Sequence, residues 1–380
     1  MIRTRSASSL SVVGSTKLAR CQKNVLYELG PLLGSWATDR LVVDMELARF
    51  APNLSSTEER YLLEDDSTRT IELGGMISKT LWSTVFKVKN DPGLVVKYQA
   101  DCDFGHQSMH PLVRDAWFLM RLDGTGLVPR IEFLSPPVPM ELAPTRKTEF
   151  ACSLEERTKC VENKRSVRFM VMERVIGSLH HVVEVKGASF SLAIETLDQL
   201  VRGLREMHLM GIVHGDIHPG NVVVMQRPEG NVVGFIDFEF AVLVNEIEEK
   251  PIQLRPAYSY VHALHSPWEI LGFRQTFRCD IFKALMVAGY VMFGNDYHKY
   301  LHWLEQDAEA MMDFKLNANI FQIPGGFDPL HEMGLPWRTK QKVTERLNNI
   351  LKLVRTLEQP DYEGILTEIA AMSQLLVSQQ

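Results

Sequence analysis

The chain is 380 residues long, 45% apolar and 23% charged, with a formal charge of -6 at pH 7. That profile belongs to a globular protein with a sizeable core and excludes a disordered or fibrous chain. A negative balance without a stripe of Lys and Arg speaks against a nucleic-acid partner. The longest strongly apolar run, Ala284 to Phe293, falls far short of the roughly 20 residues that cross a bilayer and reads as a buried helix.

Residues 1 to 27 contain no Asp or Glu but hold Arg3, Arg5, Lys17 and Arg20 among serines. This is the composition of a flexible basic tail or, alternatively, of a transit peptide. Leu10, Val12 and Val13 are interrupted by Ser11 and Gly14, so no secretory apolar core forms. Residues 1–70 are expected to be a partly disordered N-terminal extension with some helix around Val42 to Phe50. A soluble protein, cytoplasmic by default, is anticipated, with secretion open if the N-terminus is incomplete. Cys21, Cys102, Cys152, Cys160 and Cys279 show no metal-ligand spacing, and an odd number cannot pair completely within one chain. They read as buried or reduced thiols, and a Cys152–Cys160 disulfide is the alternative in a secreted protein.

From Ile71 to Gln99, two β-rich runs flank the turn residues Asn90, Asp91, Pro92 and Gly93, which predicts a hairpin at the start of a small lobe. Leu112, Ala116, Leu119 and Met120 recur at helical spacing before Gly124 and Gly126. Residues 136–164, rich in Pro, Thr, Glu and Lys, read as a polar surface insert ahead of a strand at Val167 to Met172. Leu197, Leu200, Val201, Leu204, Met207 and His208 then line one face of a helix that stops at Gly211. Beyond Pro267 the pattern is helical almost to the end.

The segment His214-Gly215-Asp216-Ile217-His218-Pro219-Gly220-Asn221 leads into the apolar run Val222 to Val224. After a turn at Pro228 to Asn231 comes Val232-Val233-Gly234-Phe235-Ile236-Asp237-Phe238. Phosphoryl transfer needs little covalent help from a protein; it needs a carboxylate at the attacking hydroxyl and hard oxygen ligands that hold Mg²⁺ on the phosphates. This strand-turn-strand pattern resembles the catalytic loop and metal-binding motif of the protein-kinase-like superfamily, H-R-D-x-x-x-x-N and D-F-G. The resemblance implies an α+β, bilobal protein-kinase-like fold: a small antiparallel β lobe with one helix at about 71–172, and a mainly helical large lobe at about 176–375. It also implies ATP and Mg²⁺ as cofactors and a protein substrate or binding partner. Asp216 is then the residue that receives the hydroxyl proton, and Asn221 and Asp237 are the metal ligands.

Further matches extend the resemblance over about residues 70–375. Val95-Val96-Lys97 is similar to the strand carrying the phosphate-binding lysine, and Arg114-Asp115 to the start of the helix whose acid pairs with it. Asp115 stands where the family has Glu, so the pair either forms through a shifted helix or is missing. Met172-Glu173-Arg174-Val175 looks like the gatekeeper and hinge, which implies that the carbonyl of Glu173 and the amide of Val175 bind adenine. Val85, Val95 and Val223 would sandwich the base, with Val95 in place of the usual alanine. Pro267-Trp268-Glu269 resembles the end of an activation segment. Asp280, with Gly294 fourteen residues later, resembles the D-x-W-x-x-G helix without its tryptophan. On this reading Asp280 accepts amides near His214, and Leu119, Phe238 and His214 stack as an internal spine.

The departures are as informative. Ser78, Thr80 and Ser83 stand at the three glycine positions of the phosphate-covering loop, and a β-branched residue resists the close backbone approach that glycine permits. Gly74 and Gly75 are assigned to the strand or to a bulge. Gly215 replaces the arginine that reads an activation-loop phosphate, so activity is predicted not to depend on phosphorylation there. Glu239 replaces the glycine after Phe238 and brings a third carboxylate toward the metal. His218 replaces the lysine of Ser/Thr kinases as a hydrogen-bond donor to the transferred phosphate, and H-G-D-x-H-P-G-N is similar to sugar, choline and aminoglycoside phosphotransferases. Loss of the glycines with retention of Lys97 and the aspartates also resembles the secreted glycine-loop-less kinases and pseudokinases of coccidian parasites. Three readings follow: a Ser/Thr-directed protein kinase with an atypical nucleotide clamp, a pseudokinase acting as a binding scaffold, or a small-molecule kinase.

Overall fold

The structure, a computed structural model, describes residues 3–5, 9–11, 61–62, 68–79, 83–100, 111–134, 138–139, 166–244, 266–270, 276–304, 308–317, 320–321, 336–357 and 359–377. The chain divides into two compact units, Met1–Arg174 and Val175–Gln380. The helix expected around Val42 to Phe50 lies outside the described residues, as do Thr80 and every cysteine but Cys279.

The first unit is an antiparallel sheet with one helix. Its strands are β1 (Arg3–Arg5), β2 (Ser9–Ser11), β3 (Tyr61–Leu62), β4 (Thr68–Lys79), β5 (Ser83–Val88), β6 (Leu94–Ala100), β7 (Ile131–Leu134), β8 (Val138–Pro139) and β9 (Ser166–Glu173). They run in the order β1-β2-β4-β5-β6-β9-β7, with β3 on β4 and β8 on β9. Three strands of the N-terminal extension thus join the sheet: β1 pairs with β2, Ser9 to Ser11 of β2 with Glu72 to Thr70, and β3 with Arg69 and Thr68. Val138 and Pro139, read as part of the insert, pair with Val167 and Ser166. The run from Ile71 is two strands, not one, and β4 slips its register against β5 between Leu73 and Met76 and again between Met76 and Ser78. Gly74 and Gly75 occupy the first slip, the place of a bulge.

The turn from β5 to β6 closes as its residues require: Gly93 N–H donates to Asp91 Oδ1 at 3.1 Å and Leu94 N–H to Asp91 O at 3.2 Å. Because side chains alternate along a strand, Val96 and Tyr98 share one face of β6, where Tyr98 lies 5.8 Å from the Phe86 ring and 5.4 Å from Phe169. Val95, Lys97 and Gln99 share the other. Helix α1 (Pro111–Arg121) buries Leu112, Val113, Ala116, Phe118 and Leu119. At about 1.5–3 kcal/mol for each large apolar side chain, that burial anchors the helix against its entropy cost.

The second unit is mainly helical: α2 (Leu179–Lys186), α3 (Phe190–Leu209), α4 (Pro267–Ile270), α5 (Phe277–Phe293), α6 (Asn295–Leu304), α7 (Ala308–Leu316), α8 (Trp337–Thr356) and α9 (Tyr362–Val377). Short strands interrupt it, in pairs β10 (Gly177–Ser178) with β12 (Val222–Arg227), β12 with β13 (Gly230–Phe235), and β11 (Ile212–Val213) with β14 (Val242–Leu243). Helix α3 starts where Ser189 Oγ accepts from Leu192 N–H, an N-cap, and buries the whole predicted face from Leu197 to His208. Helix α5 is buried from Cys279 to Phe293, as the apolar run required. The β12–β13 turn is narrower than predicted, because Gly230 and Asn231 already pair with Arg227 and Gln226. Among the described residues no helix is long and apolar enough to cross a membrane.

Candidate active site

The loop between β11 and β12 carries the candidate residues, and its backbone is tied down group by group. Asp280, fully buried on α5, accepts His214 N–H at Oδ2 (2.7 Å) and Gly215 N–H at Oδ1 (2.9 Å). Asp216 N–H donates to His214 Nδ1 at 3.2 Å, and His214 Nε2 reaches Ile236 O at 3.1 Å. Nδ1 accepts, so the proton of the neutral ring sits on Nε2. Burial holds the His214 pKa below its ordinary value, against the pull of Asp280 first and then Asp216.

Asn221 closes the loop. Its amide nitrogen donates to both Asp216 O and Asp216 Oδ2, each at 3.0 Å. With both amide hydrogens committed, Oδ1 is the atom left to coordinate a cation. Ile236 N–H donates to Asn221 O at 3.0 Å, so β13 ends strapped to the loop at both polar groups of Ile236. The next residue, Asp237, has φ 68° and ψ 65°, the one positive φ outside glycine among the described residues. A left-handed aspartate is held there against intrinsic preference, the kind of local strain found where a side chain must be aimed. The ring of the buried Phe238 then lies 4.5 Å from the His214 ring, tilted by 41° to it. Leu119, the third expected member of that stack, belongs to the first unit. Glu239 lies in the short turn Phe238–Phe240, half-buried.

His218 curls back over the catalytic carboxylate. Gly220 N–H donates to its Nδ1 at 3.1 Å, which puts the proton of the neutral ring on Nε2, 3.7 Å from Asp216 Oδ2. A Cβ at position 220 would stand 2.8 Å from His218 Cε1; the glycine is required by this close approach.

Behind the loop lie residues that pattern reading missed. His208 Nε2 meets Asp280 Oδ2 at 3.1 Å, the Tyr362 hydroxyl hydrogen-bonds its Nδ1, and the ring stacks on Phe277 at 4.4 Å. Burial lowers the His208 pKa and raises that of Tyr362. Lys283, buried one turn after Asp280, donates to Gly215 O at 2.5 Å. A lone cation inside an apolar helix was the signal for Lys283; Tyr362 offered none. Trp268 packs edge-on to Phe282 at 5.7 Å, with the Arg278 guanidinium 3.8 Å over its ring. A tryptophan from outside α5 therefore covers the residue that stands where the motif would carry its own.

In the first unit, Lys97 and Asp115 form the ion pair that the shorter acid put in question. Nζ to Oδ2 is 2.9 Å, with side-chain exposures of 10% and 1%. Val85 and Val95 lie on the Lys97 face of the sheet, Val85 directly opposite Lys97. Glu173 N–H donates to Arg130 O at 2.8 Å at the end of β9. Ser78, exposed on β4, pairs with Val85, and Ser83, buried on β5, pairs with Gln99. Val175 is half-buried and Val223 fully buried, both in the second unit. Among the described residues no group of three or more His, Cys, Asp or Glu side chains that could hold a metal ion gathers around one point.

Residues 154–261 match the protein kinase domain family, a stretch that contains the catalytic loop and Asp237 but neither Lys97 nor Asp280. The chain is also 30% identical over 126 residues to a serine/threonine-protein kinase, drp72, of Corynebacterium efficiens, a match covering 33% of this chain and 23% of that protein. Both likenesses support a relationship to the protein-kinase-like superfamily.

Proposed function

We propose that the chain is an ATP- and Mg²⁺-dependent phosphotransferase of the protein-kinase type, directed at Ser or Thr hydroxyls, with an atypical nucleotide clamp. The observation that carries this reading is the Asn221 amide bonded twice to Asp216. It leaves Asn221 Oδ1 as a hard donor, and the Asn221 backbone is bonded to Ile236, the neighbour of Asp237; one carboxylate with one carbonyl oxygen would suit a cation that takes its remaining ligands from phosphates and water. The residues present fit the ion; Asn221 and Asp237 would hold it, and Glu239 is a further candidate ligand. Bound Mg²⁺ supplies charge neutralisation on the phosphates.

In this reading Asp216 works with its second oxygen. Oδ2 is occupied by Asn221, and Oδ1 has no hydrogen bond among the described residues; it is the atom that orients the acceptor hydroxyl and takes its proton. The Nε2–H of His218 lies next to the same carboxylate and donates toward the transferred group. Lys97, held by Asp115, positions phosphate oxygens, while Val85, Val95, Val223 and the backbone of Glu173 and Val175 hold the base.

The test is transfer of labelled phosphate from ATP by wild type, Asp216→Ala and Asp237→Ala, offered to protein and metabolite pools separately. Label on protein in the wild type alone supports the reading; label on metabolites alone replaces it with a small-molecule kinase. The rival reading, a nucleotide-free binding scaffold, draws on the doubly slipped β4 with Ser78 at a glycine position. A melting temperature that ignores millimolar Mg²⁺ and ATP would favour it.

A further inference from the structure

We propose that Lys283 is a positioning residue for the catalytic carboxylate, an inference that rests on the phosphotransferase reading and adds a component to it. Lys283 is 2% exposed on α5, and burying an ammonium carries a heavy desolvation penalty unless a strong acceptor meets it. One acceptor it meets is Gly215 O, at 2.5 Å. Residues three apart on a helix share a face. Asp280 and Lys283 therefore act from the same face of α5 on the same residue, the aspartate taking Gly215 N–H and the lysine serving Gly215 C=O.

The consequence reaches Asp216 through the peptide plane. Gly215 C=O and Asp216 N–H belong to one rigid amide unit; Lys283 fixes its oxygen end and His214 Nδ1 its nitrogen end. That plane sets the axis about which Asp216 turns, hence the direction of its side chain. From His214 N to Asp216 O, each backbone group named here has a partner: Asp280 twice, Lys283, His214 and Asn221. Without Lys283 the oxygen end of the plane loses its ammonium contact, at a glycine with φ 80°. The loss falls on the orientation of Asp216, so it appears in kcat, while groups that bind nucleotide are untouched.

The experiment uses the full chain as wild type, Lys283→Met and Lys283→Arg, followed by amide hydrogen exchange, thermal melting and labelled phosphate transfer. In the Met variant, exchange across residues 212–222 should rise about tenfold while α3 and the β12–β13 hairpin keep their protection. The kcat should fall about tenfold with KM for ATP within about twofold. Arginine, which keeps a charged donor, should restore most of the loop protection and rate. Unchanged loop exchange, acceleration spread evenly through the unit, or a loss carried by KM would each overturn the proposal. Should the Met variant not fold, Lys283→Gln, neutral and one bond shorter, is held to the same three readings. An inactive wild type whose loop still depends on Lys283 sinks the phosphotransferase reading and leaves the clamp standing; an active one indifferent to the substitution sinks the clamp alone.

Discussion

The two units of this protein differ in how their candidate residues are held. In the helical unit the loop that carries Asp216 is locked by hydrogen bonds: His214 N–H and Gly215 N–H donate to Asp280, and the Asn221 amide donates to Asp216. In the sheet unit the buried Lys97–Asp115 pair is intact, but the strand ahead of it slips twice and carries serine at a glycine position. On the proposed function, proton removal would depend on a few side chains at fixed angles, whereas a nucleotide clamp would depend on backbone shape, which serine supports less readily than glycine. Substitutions in the first group should act on turnover, and those in the second on nucleotide binding.

The largest effect belongs to Asp216. Asp216→Asn keeps the bond from Asn221 and loses the proton acceptor, so kcat should fall by about 10²–10⁴, with nucleotide affinity measured by titration unchanged. An equal loss of affinity would erase the distinction between the two units. Next is Lys97→Met, which removes the cation paired with the Asp115 carboxylate at 1% exposure. Breaking a buried pair on one side costs about 3–5 kcal/mol, to be read as a lower denaturation midpoint. Adding Asp115→Asn should recover most of it. If the double variant is no more stable than the single, the pair is not what the lysine contributes.

Much of this contrast was legible in the sequence, and unevenly so. The catalytic loop could be read because Asp216, Asn221 and Asp237 are spaced by a strand-turn-strand unit whose hydrogen bonding is local, spanning five residues from Asp216 to Asn221. Asp280 was legible as the acceptor at His214 only through family resemblance, since the bond joins residues 66 apart. The Lys97–Asp115 pair could not be decided, because one methylene of reach depends on where α1 settles on the sheet. The split of the first β run into β4 and β5 was missed because the register slip at Gly74 and Gly75 breaks the alternation that a strand reading relies on. Tyr362 was invisible: its partner, His208, lies 154 residues away.

Restoring glycine is a smaller change and cuts directly across the comparison. With Ser78→Gly, Thr80→Gly and Ser83→Gly combined, backbone amides can approach phosphates again, and KM for ATP should fall about tenfold, equivalent to about 1.4 kcal/mol, at constant kcat. Ser78 and Ser83 lie in strands, where each glycine costs about 0.5–1 kcal/mol of stability, so the variant should melt earlier while binding better. A rise in kcat with KM unchanged would mean that the serines limit turnover, not the clamp. A phosphomimetic scan over residues 241–266 should leave the rate alone, since Gly215 presents no side chain to read the charge.

The smallest effect concerns pH. His208 and His214 are both buried with pKa values held below the ordinary one, desolvation being the leading cause for each. The unfolded chain takes up these protons first, so the stability they contribute is complete above about pH 6.5 and declines as the pH falls toward the lower folded values, by at most about 1.4 kcal/mol per unit for each ring. Tyr362→Phe removes the hydroxyl partner of His208 Nδ1. The variant should lose about 1 kcal/mol above neutrality, because a buried acceptor is left unmet. It should lose less at acidic pH, because an unoccupied Nδ1 is easier to protonate. The two melting curves should therefore converge on going from pH of about 8 to about 5.5. Parallel curves would show that Tyr362 holds α9 in place without setting the protonation of His208, and would remove the C-terminal helix from the chain of contacts that ends at Asp280 and the catalytic loop.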